Sequence, residues 1–260
     1  MNINYVPSDI GGVGEMLTNY INSLTCVVDD FWESHITESS FYKIFRDEVC
    51  IGYFCIHNSE KIVMFTVIPD YLYLAREIFR NVLEKFNVKT GFAVTGDQLM
   101  LSLCMENHKQ IEMQAIFFDG TIPRKVRDPE FDRSCIQEID PYDIDRINAE
   151  TDNFFDFVSP GSIIDKVIMV YKLVSDNEIL GYGIIVPNGL LTKYWACGMI
   201  TLEKNRRKGV GRSMQIHLGD ICRENGKTPI SGCWYYNDLS RKTIESAGRY
   251  TTTRLLNVIF

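Results

Sequence analysis

YWACGMITLEKNRRKGVG, residues 194–211, joins an apolar strand-like run to a glycine-punctuated basic turn that opens a helix. Arg206, Arg207 and Lys208 bring positive charge, while Gly209 and Gly211 allow turn conformations closed to residues with a Cβ and let a ligand approach the main chain. In the following RSMQIHLGDICREN the apolar positions Met214, Ile216, Leu218, Ile221 and Cys222 fall at mostly helical spacing. The free N–H groups of that helix's first turn would then point at whatever the loop holds, and a phosphate suits them. Taken alone, the same residues also describe a solvated basic turn between a strand and a helix.

Elsewhere the chain sets bounds. Its 260 residues suffice for one large domain or two ordinary ones, and 45% hydrophobic content excludes a predominantly disordered chain. A net charge of −7 argues against a general nucleic-acid binder, and the basic run from Lys204 to Arg212 is too local to track a nucleic-acid backbone. The eight cysteines, scattered through apolar runs without CxxC pairs, read as buried free thiols rather than disulfides or metal ligands, so no metal is expected. No apolar run approaches the ~20 residues that span a bilayer, and the N-terminus lacks a secretion pattern; together with the thiols this points to the cytoplasm and to no membrane partner.

Taken in order, Val13 to Leu24 carries apolar residues on one helical face, and Asp29 to Ser40 reads as a second short helix or a loop. Strands are expected at Phe41–Phe45, Val49–His57 and Lys61–Pro69, a helix at Leu72–Phe86, a strand at Thr90–Thr95, a short helix at Gln98–Met105 and a strand at Ile111–Phe118. The charged, proline-containing stretch DGTIPRKVRDPEFD, residues 119–132, marks a boundary, giving domains 1–130 and 131–260. In the second half, strands at Ile136–Ile139, Val167–Val174, Gly181–Val186, Leu190–Leu202 and Pro229–Tyr236 surround helices at Tyr142–Ala149, Gly161–Asp165, Arg212–Asn225 and Leu239–Ala247. The two halves share an order of strands, long helix, strand, short helix and strand. That order suggests two copies of one α/β fold, although an unrelated α+β first domain would also fit.

A second pattern lies in PISGCWYYNDLSRKTIESAGRY, residues 229–250, where Asn237 is followed by Ser240 and then by Gly248. With Arg206-x-x-Gly209-x-Gly211 before it, the C-terminal half resembles the Gcn5-related N-acetyltransferase (GNAT) superfamily. The resemblance implies a mixed-sheet acyltransferase fold, two tandem GNAT-like domains with a degenerate first copy, and acetyl-CoA as cosubstrate. It implies that backbone groups near Ile200 and Thr201 pair with the pantetheine arm, and that Arg206, Arg207, Lys208, Gly209, Val210, Gly211 and Arg212 hold the pyrophosphate. Asn237 and Ser240 would flank the arm, and Asn237 is equally placed to cap the following helix.

Positions that often carry acid–base chemistry in the superfamily hold Trp195, Gly232 and Ile244 here. By strand parity Cys197, Trp234 and Tyr236 share the face of the missing carboxylates, which makes Tyr236 a candidate acid and Cys197 a candidate base, or else both cleft-lining or core residues. The implied reaction is acetyl transfer to an amine of a small molecule or peptide, and the alternative is a non-catalytic acyl-CoA binder or sensor. The aromatic loop Asn153–Phe157 reads as a lid over the acceptor or as a staple into the core.

Overall fold

The computed structural model describes residues 2–123 and 127–260. In chain order the first half contains β1 (Ile3–Ser8), α1 (Gly14–Ser23), α2 (Asp30–Thr37), β2 (Ser40–Arg46), β3 (Val49–His57), β4 (Lys61–Val67), α3 (Ala75–Lys85), β5 (Thr90–Val94), α4 (Gln98–Asn107) and β6 (Gln110–Phe118). The second half contains β7 (Gly120–Thr121), β8 (Ile136–Glu138), α5 (Ile144–Glu150), α6 (Pro160–Ile164), β9 (Met169–Ser175), β10 (Glu178–Pro187), β11 (Tyr194–Thr201), α7 (Val210–Glu224), β12 (Thr228–Trp234), α8 (Asp238–Ser246), β13 (Arg249–Tyr250) and β14 (Thr253–Ile259). No helix among the described residues is long and apolar enough to cross a membrane.

The chain forms two compact units. The first takes residues up to Ile116 together with Thr253–Phe260, and the second takes Phe117–Thr252. The boundary expected at 130 therefore meets a division at 116, and residues 124–126 of the expected linker lie outside the described residues. The last strand also leaves the half of the sequence in which it is encoded. β14 pairs antiparallel with β5, from Leu255 opposite Val94 to Ile259 opposite Thr90, and buries Leu256 and Val258 in the first unit's core. Gly248, at φ 82, ends α8 as the sequence predicts, and frees the chain to turn toward that strand.

In the first unit the strand order is β1-β2-β3-β4-β5-β14-β6, antiparallel from β1 through β4 and parallel between β4 and β5. β1 escapes a sequence reading because Pro7 interrupts it and its apolar residues do not alternate cleanly, Ile3 and Tyr5 being partly buried while Val6 is exposed; as an edge strand it tolerates the missing N–H donor. α3 lays Ala75, Ile78, Phe79 and Val82 into the core, the face its 3.6-residue spacing predicts. The chain before it, Pro69–Leu74, is a 3-10 turn rather than the first turn of that α-helix.

The second unit has the order β12-β11-β10-β9-β8, antiparallel except for the parallel β11–β12 pair. On one face α7 packs Val210, Met214, Leu218, Ile221 and Cys222 against Leu173, Ile185 and Cys197. On the other, α5 and the loop after it bury Ile144, Ile147 and Phe155 against Tyr182 and Ile184. Alternation along β11 sorts its side chains between these layers, with Cys197 and Met199 toward α7 and Ile200 toward the α5 side.

Because Val258 is fully buried among first-unit residues, Val258→Ala should destabilise the protein by about 2 kcal/mol and speed amide hydrogen exchange in β5 while leaving β11 protected. Faster exchange in β11 with β5 unchanged would show that the last strand supports the other unit.

Candidate functional site

Both units contain a parallel strand pair that parts after a few residues. In the second unit β11 and β12 are in register at Tyr194–Thr228, Trp195–Pro229 and Ala196–Ile230, and then separate while β11 runs on to Thr201 and β12 to Trp234. Beyond the fork, β11 keeps its pairing with β10 up to Thr201 opposite Gly181, so one edge of its backbone is turned away from any ladder. The fork is held at its apex by Gln215 of α7, 1% exposed. Its Nε2 donates to the Cys197 carbonyl at 3.1 Å and its Oε1 accepts from Ser231 Oγ at 2.9 Å. Cys197 and Ser231 are the first residues beyond the last matched pair, so one buried amide bridges the two diverging strands. Gln215 is one of three polar side chains, with Ser213 and His217, on the buried side of α7, and nothing local in the sequence marks it as the bridge.

The first unit's fork is filled by its own chain. β4 and β5 are in register only at Lys61–Thr90 and Ile62–Gly91. At the next residue, the buried Trp32 of α2 donates its indole N–H to the Val63 carbonyl at 3.3 Å. Thr25 donates both its N–H and its hydroxyl to the Gly96 carbonyl, at 3.1 and 3.2 Å, covering the turn after β5. Asp97, which stands before α4 as Asn237 stands before α8, caps its helix through Met100 N at 3.0 Å and accepts a short hydrogen bond from Tyr20. Burial raises the Asp97 carboxyl above its ordinary range, while the Tyr20 and backbone hydrogen bonds pull the other way.

At the open end of the second fork, the chain leaves β11 through the 3-10 turn Glu203–Asn205 and enters α7 by two left-handed residues, Arg207 at φ 64 and Gly209 at φ 82. Gly209 is the N-terminal cap of α7, and no side chain supplies a capping bond. The reason glycine is required is visible beside it. A Cβ on Gly209 would lie 2.1 Å from Oε2 of Glu130 and 2.2 Å from its Cδ. The Glu130 carboxylate thus rests on the first turn of α7, ion-paired with Arg212 and, at 3.0 Å, with Arg127. Arg212 Nε also donates to Glu130 Oε2 at 3.1 Å. An acid at the positive end of a 15-residue helix is favoured by the dipole and by the unpaired N–H groups.

Of the basic residues singled out in the sequence, only Arg212 turns into this cradle. Arg206, Arg207 and Lys208 are exposed; Lys208 donates to Asn205 Oδ1 at 3.0 Å and Arg206 lies 4.0 Å from Glu203. Val210 is buried and packs in the core beneath α7. Gly211 lies within the helix, buried, and a Cβ there would meet Thr243 Cγ2 of α8 at 2.8 Å, a packing reason for glycine beside the expected ligand approach. Its smallness brings α7 and α8 together. Ile200 and Thr201 are half-buried on the stretch of β11 that pairs with β10 and no longer with β12.

Asn237 caps α8, its Oδ1 accepting from Ser240 N at 3.0 Å, which is the capping role its position allowed. Cys197 is corrected from a candidate base to a core residue. It is 2% exposed, 3.5 Å from Cys222 Sγ beneath α7, where no acceptor amine can reach it. Contact with Cys197 and burial push the Cys222 thiol far above its usual range. Tyr236 is 59% exposed in the turn after β12, since the strand ends at Trp234 and parity does not extend to it. It packs edge-on against Trp234 and Tyr235, each 5.1 Å away, forming an aromatic cluster next to Asn237. In the aromatic loop, Phe155 is a core staple fixed by Asn148, while Phe154 and Phe157 stay exposed, with Phe154 above Gly198 of β11.

Residues 10–121 match the family model for the acetyltransferase (GNAT) domain. No curated protein sequence matches the chain. Among solved structures, an acetyltransferase from the GNAT family of Colwellia psychrerythraea aligns over 100% of both chains with a TM-score of 0.86 at 17% identity. A tandem GNAT protein from the clavulanic acid biosynthesis pathway aligns over 99% of this chain and 98% of its own, with a TM-score of 0.59 at 11% identity. A GCN5-related N-acetyltransferase from Sphaerobacter thermophilus aligns over 99% and 95%, with a TM-score of 0.61 at 8% identity. The chain has the GNAT fold, and its likeness to the tandem protein runs through both units.

Close packing at Gly211 has a measurable consequence. Gly211→Ala should cost about 1–2 kcal/mol despite alanine's better helix propensity, because the Thr243 hydroxyl bond to the Leu239 carbonyl at 2.8 Å holds its methyl in place. Adding Thr243→Ser, which removes that methyl and keeps the hydroxyl, should restore most of the loss in urea midpoint. A Gly211→Ala protein as stable as the parent would refute the packing role.

Proposed function

We propose that the second unit binds acetyl-CoA and transfers its acetyl group, by direct attack, to an amine on a small molecule or peptide. The observation that carries this reading is the fork between β11 and β12, which opens an unpaired strand edge leading to the anion cradle at the start of α7. The GNAT fold of the whole chain supports acyl transfer; the match of residues 10–121 to a GNAT acetyltransferase domain falls in the first unit and bears on the family rather than on which unit holds the donor. The first unit, whose fork is closed by Trp32 and Thr25, is assigned a structural role.

The residues of the second unit fit the donor. A carboxylate already rests in the cradle, so its geometry and charge accept an oxyanion. The N–H groups of Arg207, Lys208, Gly209, Val210 and Gly211, with the Arg212 guanidinium, would hold the pyrophosphate, and exposed Arg206 would add long-range attraction. The free edge at Ile200 and Thr201 would pair with pantetheine amides. Since the Asn237 carbonyl oxygen is committed to its cap, its NH2 is the group left for the arm, with Ser240 beside it.

Acetyl-CoA supplies an acyl group already activated as a thioester. The chain then contributes mostly position: a backbone N–H on the free edge of β11 steadies charge on the acyl oxygen, and the exposed aromatic cluster of Trp234 and Tyr236 borders the acceptor's approach. Proton movement falls to water or to the Tyr236 hydroxyl. The net charge of −7 favours a cationic acceptor, and eight free cysteines favour a reducing compartment, the cytoplasm. A second reading, a non-catalytic acyl-CoA sensor, is favoured by one observation: the Cys197 thiol is buried at 2% exposure, out of reach of an acceptor, while the aliphatic Ile244 has no proton to give.

Gly209→Asp should lower acetyl-CoA affinity by more than ~2 kcal/mol in calorimetry, since a charged side chain fills the cradle and repels pyrophosphate. Unchanged affinity in a folded variant would remove the cradle from the site. With a panel of amines, release of free CoA separates the enzyme from the sensor. Tyr236→Phe should slow acetyl transfer by up to about 10²-fold between pH 6 and 9, as loss of one general acid does; an unaltered rate across that range would leave the proton to water.

A further inference from the structure

The segment Arg127–Phe131 is a strap across the start of α7, and its bonds divide into two sets. The backbone is anchored. Glu130 N and Phe131 N both donate to Ser213 Oγ, at 2.9 and 3.2 Å, and the Phe131 carbonyl meets His217 Nε2 at 2.7 Å. Ser213 and His217 are buried side chains of α7, and the Phe131 ring packs against the same core as Met214 and Leu218. The Glu130 side chain is held by ion pairs with Arg212 and Arg127 and by the Arg212 Nε hydrogen bond, beside the helix N-terminus. The carboxylate can therefore swing out about its own side-chain torsions while the strap stays in place.

We propose that Glu130 is an autoinhibitory group, a carboxylate that occupies the anion cradle of α7 and must yield it before a phosphate-bearing ligand can bind. The inference rests on the reading of that cradle as the pyrophosphate site. Two negative groups cannot share the space, because the Glu130 carboxyl already lies within contact of the position a Gly209 Cβ would take. Arg212 has one guanidinium to offer and is committed to Glu130, with a side chain only 12% exposed. An entering pyrophosphate would take over Arg212 and the N–H groups, and Glu130 would move out to solvent with Arg127, whose side chain is 73% exposed. The cost of that exchange lowers the apparent affinity by the fraction of molecules with an open cradle. Weakly charged anions would be rejected, and a ligand with several phosphate charges would be selected.

The test uses the full chain as parent, Glu130→Ala and Glu130→Gln, with inorganic pyrophosphate and acetyl-CoA as separate titrants in calorimetry. Circular dichroism and urea midpoints confirm folding, and Glu130→Gln keeps the size and most hydrogen bonding of the side chain should the alanine variant fail. Glu203→Gln, on the loop outside the cradle, controls for a simple change in field. Both Glu130 variants should bind pyrophosphate about tenfold or more tighter than the parent, with Glu203→Gln near the parent. Adding Gly209→Asp should abolish the gain. Pyrophosphate binding that is equal in parent and Glu130 variants, or raised equally by Glu203→Gln, overturns the proposal. Tighter pyrophosphate binding with no acetyl-CoA binding supports Glu130 as the occupant and overturns the choice of donor. Equal acetyl-CoA and pyrophosphate binding in all three, lost on Gly209→Asp, keeps the donor site and overturns the autoinhibition.

Discussion

A parallel strand pair that stops pairing before its strands end leaves peptide groups that must be satisfied some other way, and the rest of this molecule follows from how each unit answers that demand. In the second unit the answer is a single buried amide, Gln215, which ties Cys197 to Ser231 and leaves the strands beyond them apart. Removing it would strand a buried carbonyl and hydroxyl, each costing about 1–3 kcal/mol, so the opening is built into the core rather than being slack at a sheet edge. The helix that carries Gln215 also begins at the anion cradle. One 15-residue element therefore sets both the width of the fork and the position of the positive charge at its mouth.

The first unit meets the same demand with bulk. Trp32 satisfies the Val63 carbonyl, Thr25 satisfies Gly96, and Tyr20 engages Asp97, so the groups that a ligand would meet are already bonded to the chain. The cost is buried charge: desolvation raises the carboxyls of Asp29 and Asp97, and the backbone and Tyr20 hydrogen bonds offset part of it. The entry to α3 shows the same difference. It starts from a 3-10 turn with Pro69 and has no left-handed glycine, so it presents no counterpart to the turn at Gly209. The family-model match falls on this filled unit, at 10–121.

Much of this was legible from residue order. Period-3.6 faces locate α1, α3 and α7, and the glycine-basic turn after an apolar run marks the entry to α7, because those signals are local. The Asn237 cap and the Gly248 stop are local too, and both stand where the sequence puts them. What could not be read depends on distant partners. β14 lies in the sequence next to α8 yet belongs to the first unit's core, and nothing in Leu255, Leu256 or Val258 states which core they will fill. Parity extrapolated from β12 overran the strand end at Trp234, so Tyr236 was assigned a face that a turn residue does not have. Cys197 was placed correctly on β11, but its face proved to be the one covered by α7.

The most consequential residue missed was Glu130, which sits in a charged stretch that read only as a linker. Acidic residues in a polar segment carry no sign of a destination, whereas the cradle that receives one is conspicuous in Gly209 and Arg212. The two are complementary in a simple sense. A helix N-terminus with a left-handed glycine and an inward arginine has unsatisfied donors whenever it is vacant, and a buried donor set without an acceptor is costly. A chain that must fold before meeting its ligand gains stability by supplying an acceptor of its own, and here that acceptor is a singly charged carboxylate. On the proposed reading, the same features that make the site attract a pyrophosphate make it attract Glu130 first, so the selectivity for highly charged ligands arises from folding stability and needs no separate device.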